Sequence, residues 1–160
     1  RVMMSPLVMA QLVQAAAIGR DDVVLAIGDA TGWALAVLSR LASTVVALER
    51  DPARAAAIAT RLAEREVDNV AVVTGDFATG YPAQAPYDAI LLFGAVAEIP
   101  SALPGQLAEQ GRLVAVVAPR PGTGTGTRLT RAGAAIGQER PFDAATAFLP
   151  GLQPRPVFCL

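Results

Sequence analysis

Two apolar runs, each closed by polar turn residues, most constrain how this chain folds: Val23-Val-Leu-Ala-Ile-Gly-Asp-Ala-Thr-Gly-Trp33 and Thr44-Val-Val-Ala-Leu-Glu-Arg-Asp-Pro52. Runs without polar alternation suit strands covered on both faces, so the pair predicts neighbouring parallel strands of an α/β protein. The first run passes glycines at 28 and 32 and enters Ala34-Leu-Ala-Val-Leu38, a helical stretch. That order sets the N–H groups of a helix N-terminus beside whatever binds there. In the second run Glu49 closes the strand 21 positions after Gly28. This is about the ~20-residue distance at which an acid in a βαβ unit reaches ribose hydroxyls. Together the runs outline a nucleoside site.

Strand and helix alternate along most of the chain. Ser5 and Pro6 suit the N-cap and first position of a helix over 7–18 that stops at Gly19, and Asp51-Pro52 repeats that pairing. Strands are predicted near 23–27, 44–48, 70–74, 89–93 and 112–118, and helices near 32–42, 52–66 and 99–109. Pro119-Arg-Pro-Gly-Thr-Gly-Thr-Gly-Thr127 reads as a flexible loop, because its glycines and prolines suit no regular element. Arg128–Arg131 and Pro156–Leu160 read as late strands, one of them antiparallel at the sheet edge. The expected fold is therefore a doubly wound, mostly parallel sheet with helices on both faces, in one domain over 1–160. The chain starts at Arg1 and enters a helix almost at once, so further sequence upstream is expected.

Composition narrows the partners. At 160 residues and 53% hydrophobic, the chain is long enough for one filled core, yet its apolar runs fall far short of the ~20 residues a membrane span needs. Lys+Arg 13 against Asp+Glu 14 leaves no basic excess to neutralise phosphates, so no nucleic-acid partner is expected. The single Cys159 excludes an internal disulfide and fits the cytoplasm. A charged content of 17%, below the ~25% of an average domain, favours a partner-covered surface or a homodimer.

Glycine spacing decides the ligand class. A dinucleotide fingerprint needs G-x-G-x-x-G, whereas this loop has Ala at position 30 and no third glycine after Gly32. It is more similar to the E/D-x-G-x-G-x-G loop of S-adenosylmethionine-dependent methyltransferases, with Ala26 at the place of the acid and Ala30 at the middle glycine. Further motifs follow in order: Pro6-Leu-Val-Met-Ala10, Val46-Ala-Leu-Glu49, Asp68-Asn-Val70, Gly75-Asp76, Ala85-Pro-Tyr-Asp-Ala-Ile90, Glu98-Ile-Pro100 and Gly111-Arg-Leu-Val114. From Arg1 to about Arg131 the chain resembles the protein-L-isoaspartate O-methyltransferases, and more closely their divergent bacterial members.

The resemblance implies S-adenosylmethionine as cofactor, methyl transfer to isoaspartyl carboxylates of damaged proteins, and an N-terminal family segment before Arg1. It places Gly28 and Gly32 at the methionine portion, Glu49 at the ribose hydroxyls, and Asp76 with Phe77 near the adenine, and counts Asp29, Ala30, Arg50 and Phe93 among the cofactor-binding residues; Phe93 takes the first of the small polar places after the fourth strand. Asp29 would set a negative charge near the cofactor carboxylate. The family's Ser/Thr hydroxyl, two residues before the proline that opens the first helix, falls on Met4, which leaves Ser5 as the catalytic candidate although an N-cap role explains it as well. Asp76 also suits a turn, Glu49 a solvated strand end, Asp88 a structural role, and Trp33 packing in the first turn of its helix. A carboxylate acceptor needs no base, so the absence of histidine is no objection, and no metal is expected. The competing reading is a family-derived module that binds cofactor or a partner without transfer. A nicotinamide dehydrogenase ranks third, lacking both the glycine pattern and a second domain.

Overall fold

The computed structural model describes residues 3–156. Helix α1 (Pro6–Ala16) begins where Ser5 Oγ accepts the Val8 N–H at 3.3 Å, and it ends at Ala17, in the left-handed region, two residues before Gly19. There follow β1 (Val23–Ile27), α2 (Trp33–Leu41), β2 (Thr44–Glu49), α3 (Pro52–Glu64), β3 (Val70–Thr74), β4 (Tyr87–Val96), β5 (Leu107–Val117), β6 (Gly124–Ala132) and β7 (Ala135–Ala144). Asp51 caps α3, accepting the Ala53 N–H at 2.9 Å. Asp88 accepts the Val23 N–H at 2.8 Å and ties β4 to the start of β1, the structural role open to it.

The seven strands lie in the order β3-β2-β1-β4-β5-β6-β7, with β1 to β5 parallel and β6 and β7 antiparallel. This is the expected doubly wound, mostly parallel sheet, except that α1, α2 and α3 all pack on one face, while the other, expected to carry a helix, is covered by loops and 3-10 turns. The order reverses beside β1, which opens a crevice at the carboxyl ends of β1 and β4. One face is filled by Leu12, Val24, Leu35, Leu38, Val45 and Ile58 beneath the helices. The opposite face gathers Leu25, Ile27, Phe77, Tyr87, Ile90, Leu103 and Leu113. Among the described residues no helix is long and apolar enough to cross a membrane.

The structure corrects three sequence expectations. No helix forms over 99–109: a 3-10 turn at Pro104–Gln106 leads directly into β5. Leu103 and Leu107 have helical spacing and are both fully buried, but Pro104 lacks an N–H and clashes with the preceding turn, and Gly105 weakens any helix further. The glycine-rich stretch is not all loop, because β6 begins at Gly124. Gly126 pairs with Phe142, whose ring would lie 2.4 Å from a Cβ at this position, so these glycines are strand residues over which an aromatic packs. Strand β7 was not expected; a two-residue turn with Gly133 at φ +61 connects it to β6. The strand expected over 156–160 lies, beyond Pro156, outside the described residues.

Polar clamps replace the missing helix on the second face. Buried Gln106 donates through Nε2 to the carbonyls of Thr79 (2.8 Å) and Ala102 (3.1 Å) and accepts the Tyr81 N–H at 3.1 Å, joining the two crossover loops. Tyr87 Oη donates to the Tyr81 carbonyl. Gln106→Leu strands these backbone groups and should destabilise the fold by about 1–3 kcal/mol, read from urea midpoints. Burial, with a smaller contribution from the neighbouring Tyr81, pushes the Tyr87 phenol up from 10.0 to about 12. Between these values the folded chain keeps a proton that the unfolded chain loses, so stability falls as pH rises through this window. Tyr87→Phe should make that alkaline decline shallower in denaturation curves.

Candidate functional site

Three strand exits form one rim. The Gly28 N–H donates to the Leu48 carbonyl at 3.1 Å, and the Gly75 N–H donates to the Glu49 carbonyl at 3.0 Å. The turns after β1, β2 and β3 are thereby held side by side, bringing Gly28, Glu49 and Asp76 to the same end of the sheet. Gly28 and Gly32 take φ of +82 and +79, which a side chain rarely tolerates. Ala30, between them, is outside that region, so alanine takes the middle place of the loop without strain.

Asp29 departs from its expected role. Its Oδ1 accepts the Thr31 N–H and Thr31 Oγ1 at 3.1 Å, and its Oδ2 accepts the Leu35 N–H at 3.1 Å. The Trp33 N–H in turn donates to Thr31 Oγ1 at 3.2 Å. The carboxylate is thus turned onto the N-terminus of α2, where the helix dipole favours it, instead of standing against an incoming anion. Glu49 is 2% exposed, and its Oε1 accepts the N–H groups of Arg50 (2.9 Å) and Asp51 (3.1 Å), with Arg54 Nη1 at 3.9 Å. It is no solvated strand end; the turn holds it. Arg50 is exposed with its guanidinium against Gly151, Asp76 is exposed and accepts Thr79 Oγ1 at 3.4 Å, and Phe77 is fully buried in the second core.

On the helix side of the rim, Met3, Met4, Met9, Gly28, Asp29, Ala30, Thr31, Trp33 and Phe93 line a cavity of about 20 Å³. That is room for about one water. Its wall is largely apolar, and Met4, 7% exposed, stands where the family resemblance places a hydroxyl. Ser5 is not brought into it, because its hydroxyl caps α1. Trp33 does not pack into the first turn of α2: Ala34, Leu35 and Leu38 take the inward positions, and Trp33 remains 47% exposed at the cavity mouth.

Leu149 was not anticipated as part of this end of the sheet. The segment around it is fixed to β4, with Ala95 N–H donating to the Ala147 carbonyl (2.8 Å) and Leu149 N–H to the Ala95 carbonyl (2.9 Å). Its side chain covers two glycines: a Cβ at Gly28 would lie 2.5 Å from Leu149 Cδ2, and one at Gly94 would lie 2.7 Å from Leu149 Cγ. The sequence signal for this contact is Gly94, the glycine that follows Phe93.

Comparison with known proteins gives the family context. Residues 1–139 match the family model described as protein-L-isoaspartate(D-aspartate) O-methyltransferase. A protein-L-isoaspartate O-methyltransferase of Methylorubrum extorquens is 40% identical over 148 residues, covering 92% of this chain and 64% of the relative. One from Methanoregula boonei is 48% identical over 100 residues, covering 62% and 46%. The chain therefore spans roughly half to two thirds of these relatives' length. A solved protein-L-isoaspartate O-methyltransferase superimposes with a TM-score of 0.83 at 24% identity, covering 93% of this chain and 48% of that one. A Plasmodium falciparum candidate of the same name, in complex with S-adenosyl-L-homocysteine, gives 0.69 at 19%, covering 91% and 74%. At these identities the structures establish the fold.

Because the Asp29 carboxylate caps α2, Asp29→Ala should cost about 1 kcal/mol of stability while Asp29→Asn keeps most of it, measured by urea denaturation.

Proposed function

We propose, because this chain belongs to the protein-L-isoaspartate(D-aspartate) O-methyltransferase family, that it binds S-adenosylmethionine and methylates carboxylate groups of isoaspartyl residues in damaged proteins. The observation that carries this reading is the common rim, where the glycine turn of β1 is tied to the end of β2 one residue before the buried Glu49. The residues present suit such a cofactor. Gly28 and Gly32 leave backbone uncovered by side chains for its methionine end, with Ala30 and the Asp29 main chain between them. Glu49 and Arg50 serve the ribose and Asp76 the adenine, with Phe77 anchoring that turn from the core; Phe93 and Met4 flank the transfer end. Met3, Met4 and Ser5 precede α1 outside any regular element, so the narrow cavity widens by a shift of flexible thioether chains.

When bound, the cofactor supplies an electrophilic methyl group, which a carboxylate oxygen accepts without a base to remove a proton. The chain's task is then to orient the acceptor and strip its water. The apolar wall of Met4, Met9 and Phe93 serves the second need. On this reading the chain acts as one methyltransferase-like domain, in the cytoplasm, on protein or peptide acceptors and without nucleic acid. A second reading, a module that keeps the ligand without transfer, draws on one observation: the Met4 thioether cannot donate the hydrogen bond that the family's hydroxyl would give an acceptor.

Calorimetric titration with S-adenosylhomocysteine should show binding, and Glu49→Ala should weaken it by tenfold or more, since a charge-assisted hydrogen bond contributes about 1.5–3 kcal/mol. Absence of binding by the unmodified chain would overturn the cofactor reading. Transfer to an isoaspartyl peptide should be slow in the unmodified chain and about tenfold faster in Met4→Thr, for a regained hydrogen bond of ~1.4 kcal/mol. Equal rates would remove Met4 from the transfer site; cofactor binding with no transfer in either chain would favour the module.

A further inference from the structure

A second cavity, of about 390 Å³, adjoins the transfer cavity and shares Met3, Thr31 and Trp33 with it; Pro6, Arg61 and Arg65 complete its wall. Its apolar side is unusually open: Met3 is 51% exposed, Trp33 47%, and Leu7 on the adjoining turn of α1 70%. Its other side is cationic. Arg61 and Arg65 stand four positions apart at the end of α3, a spacing that puts both guanidinium groups on one face. Arg61 Nη1 donates to the Thr31 carbonyl at 3.1 Å, which fixes it against one of the residues common to both cavities. Neither guanidinium has a carboxylate within 4.0 Å among the described residues, and neither Glu64 nor Glu66 lines the groove. Asp29, which lines the adjoining cavity, is engaged by Thr31 and Leu35.

We propose that this groove is the acceptor's docking subsite: it seats the polypeptide next to the residue being methylated, stacks it on Trp33, and selects acidic side chains there through Arg61 and Arg65. The proposal rests on the methyltransferase reading for the identity of the occupant. The two cavities share Met3, Thr31 and Trp33, so a polypeptide whose carboxylate enters the small cavity has this groove beside it. Tryptophan and arginine are the side chains that most often carry binding energy at such surfaces. Two arginines with no carboxylate partner among the described residues, in a chain with a formal net charge of −1, are a local feature, not a reflection of an overall basic surface.

Trp33 is the chain's single tryptophan, so its fluorescence reports this groove directly and without turnover. The probes are a peptide with a central isoaspartyl residue flanked by glutamates and its counterpart flanked by glutamines. The glutamate peptide should bind about three- to tenfold more tightly at low ionic strength, a preference that salt erodes. Arg61→Glu combined with Arg65→Glu should abolish or invert that preference, while the glutamine peptide still binds and S-adenosylhomocysteine affinity measured by calorimetry is unchanged. Equal affinity for the two peptides, or a preference that survives the double substitution, overturns the proposal. So does a concentration-dependent Trp33 shift without peptide, which would assign the groove to a second copy of the chain. Loss of S-adenosylhomocysteine binding in the unmodified chain would count against the methyltransferase reading alone, because the Trp33 titration decides the groove separately.

Discussion

The site depends on how the parallel strands end. Each strand delivers its last residue to the same rim, and single backbone hydrogen bonds, Gly28 to Leu48 and Gly75 to Glu49, set the stagger between successive turns. Side chains at the strand ends inherit positions that none of them could hold alone. Glu49 has its orientation fixed by the next two N–H groups of its own turn, and Phe93 is placed opposite the β1 exit because Leu92 pairs with Ile27. A one-residue slip in the β1–β2 register would carry Glu49 to the other face of the sheet and dissolve the rim.

Most acidic groups near this rim are turned onto the chain's own backbone: Asp29 and Asp51 hold the starts of α2 and α3, and Glu49 accepts two N–H groups of its own turn. At the opposite end of the sheet Asp22 accepts the Gly19 N–H and Asp88 holds the start of β1. These carboxylates satisfy donors that secondary structure leaves over, and they leave few charges free in the cavity itself. An apolar cavity wall with its charge tied into helix caps suits chemistry that asks for orientation and dryness instead of proton transfer.

Much of this was legible in the sequence because the signals were local. Unbroken apolar runs marked β1 to β4, Ser5-Pro6 and Asp51-Pro52 marked two helix starts, and the distance from Gly28 to Glu49 marked the rim. The misreadings arose where local and tertiary preferences diverge. Leu103 and Leu107 carry a helical spacing that Pro104 vetoes, and the alternation of Gly124 and Gly126 with threonines becomes a strand only because Phe142 lies across it. For Asp29 the sequence position was right, yet the direction of its carboxylate depends on a helix N-terminus whose geometry no spacing rule supplies. Leu149 was invisible because its partners, Gly28 and Gly94, are far away in the chain.

That last contact has a kinetic consequence. The units from β1 to β3 involve neighbours in sequence, and the β6–β7 hairpin closes over a two-residue turn, so these parts can organise from short-range contacts. The covering of Gly28 by Leu149 joins the end of β1 to a segment beyond β7, a closure across 121 positions of the chain, and such contacts are the slow ones in folding. During synthesis the glycine turn emerges early and stays uncapped until the segment carrying Leu149 has followed it and docked. The carboxyl end of the sheet therefore matures later than the strands that form it.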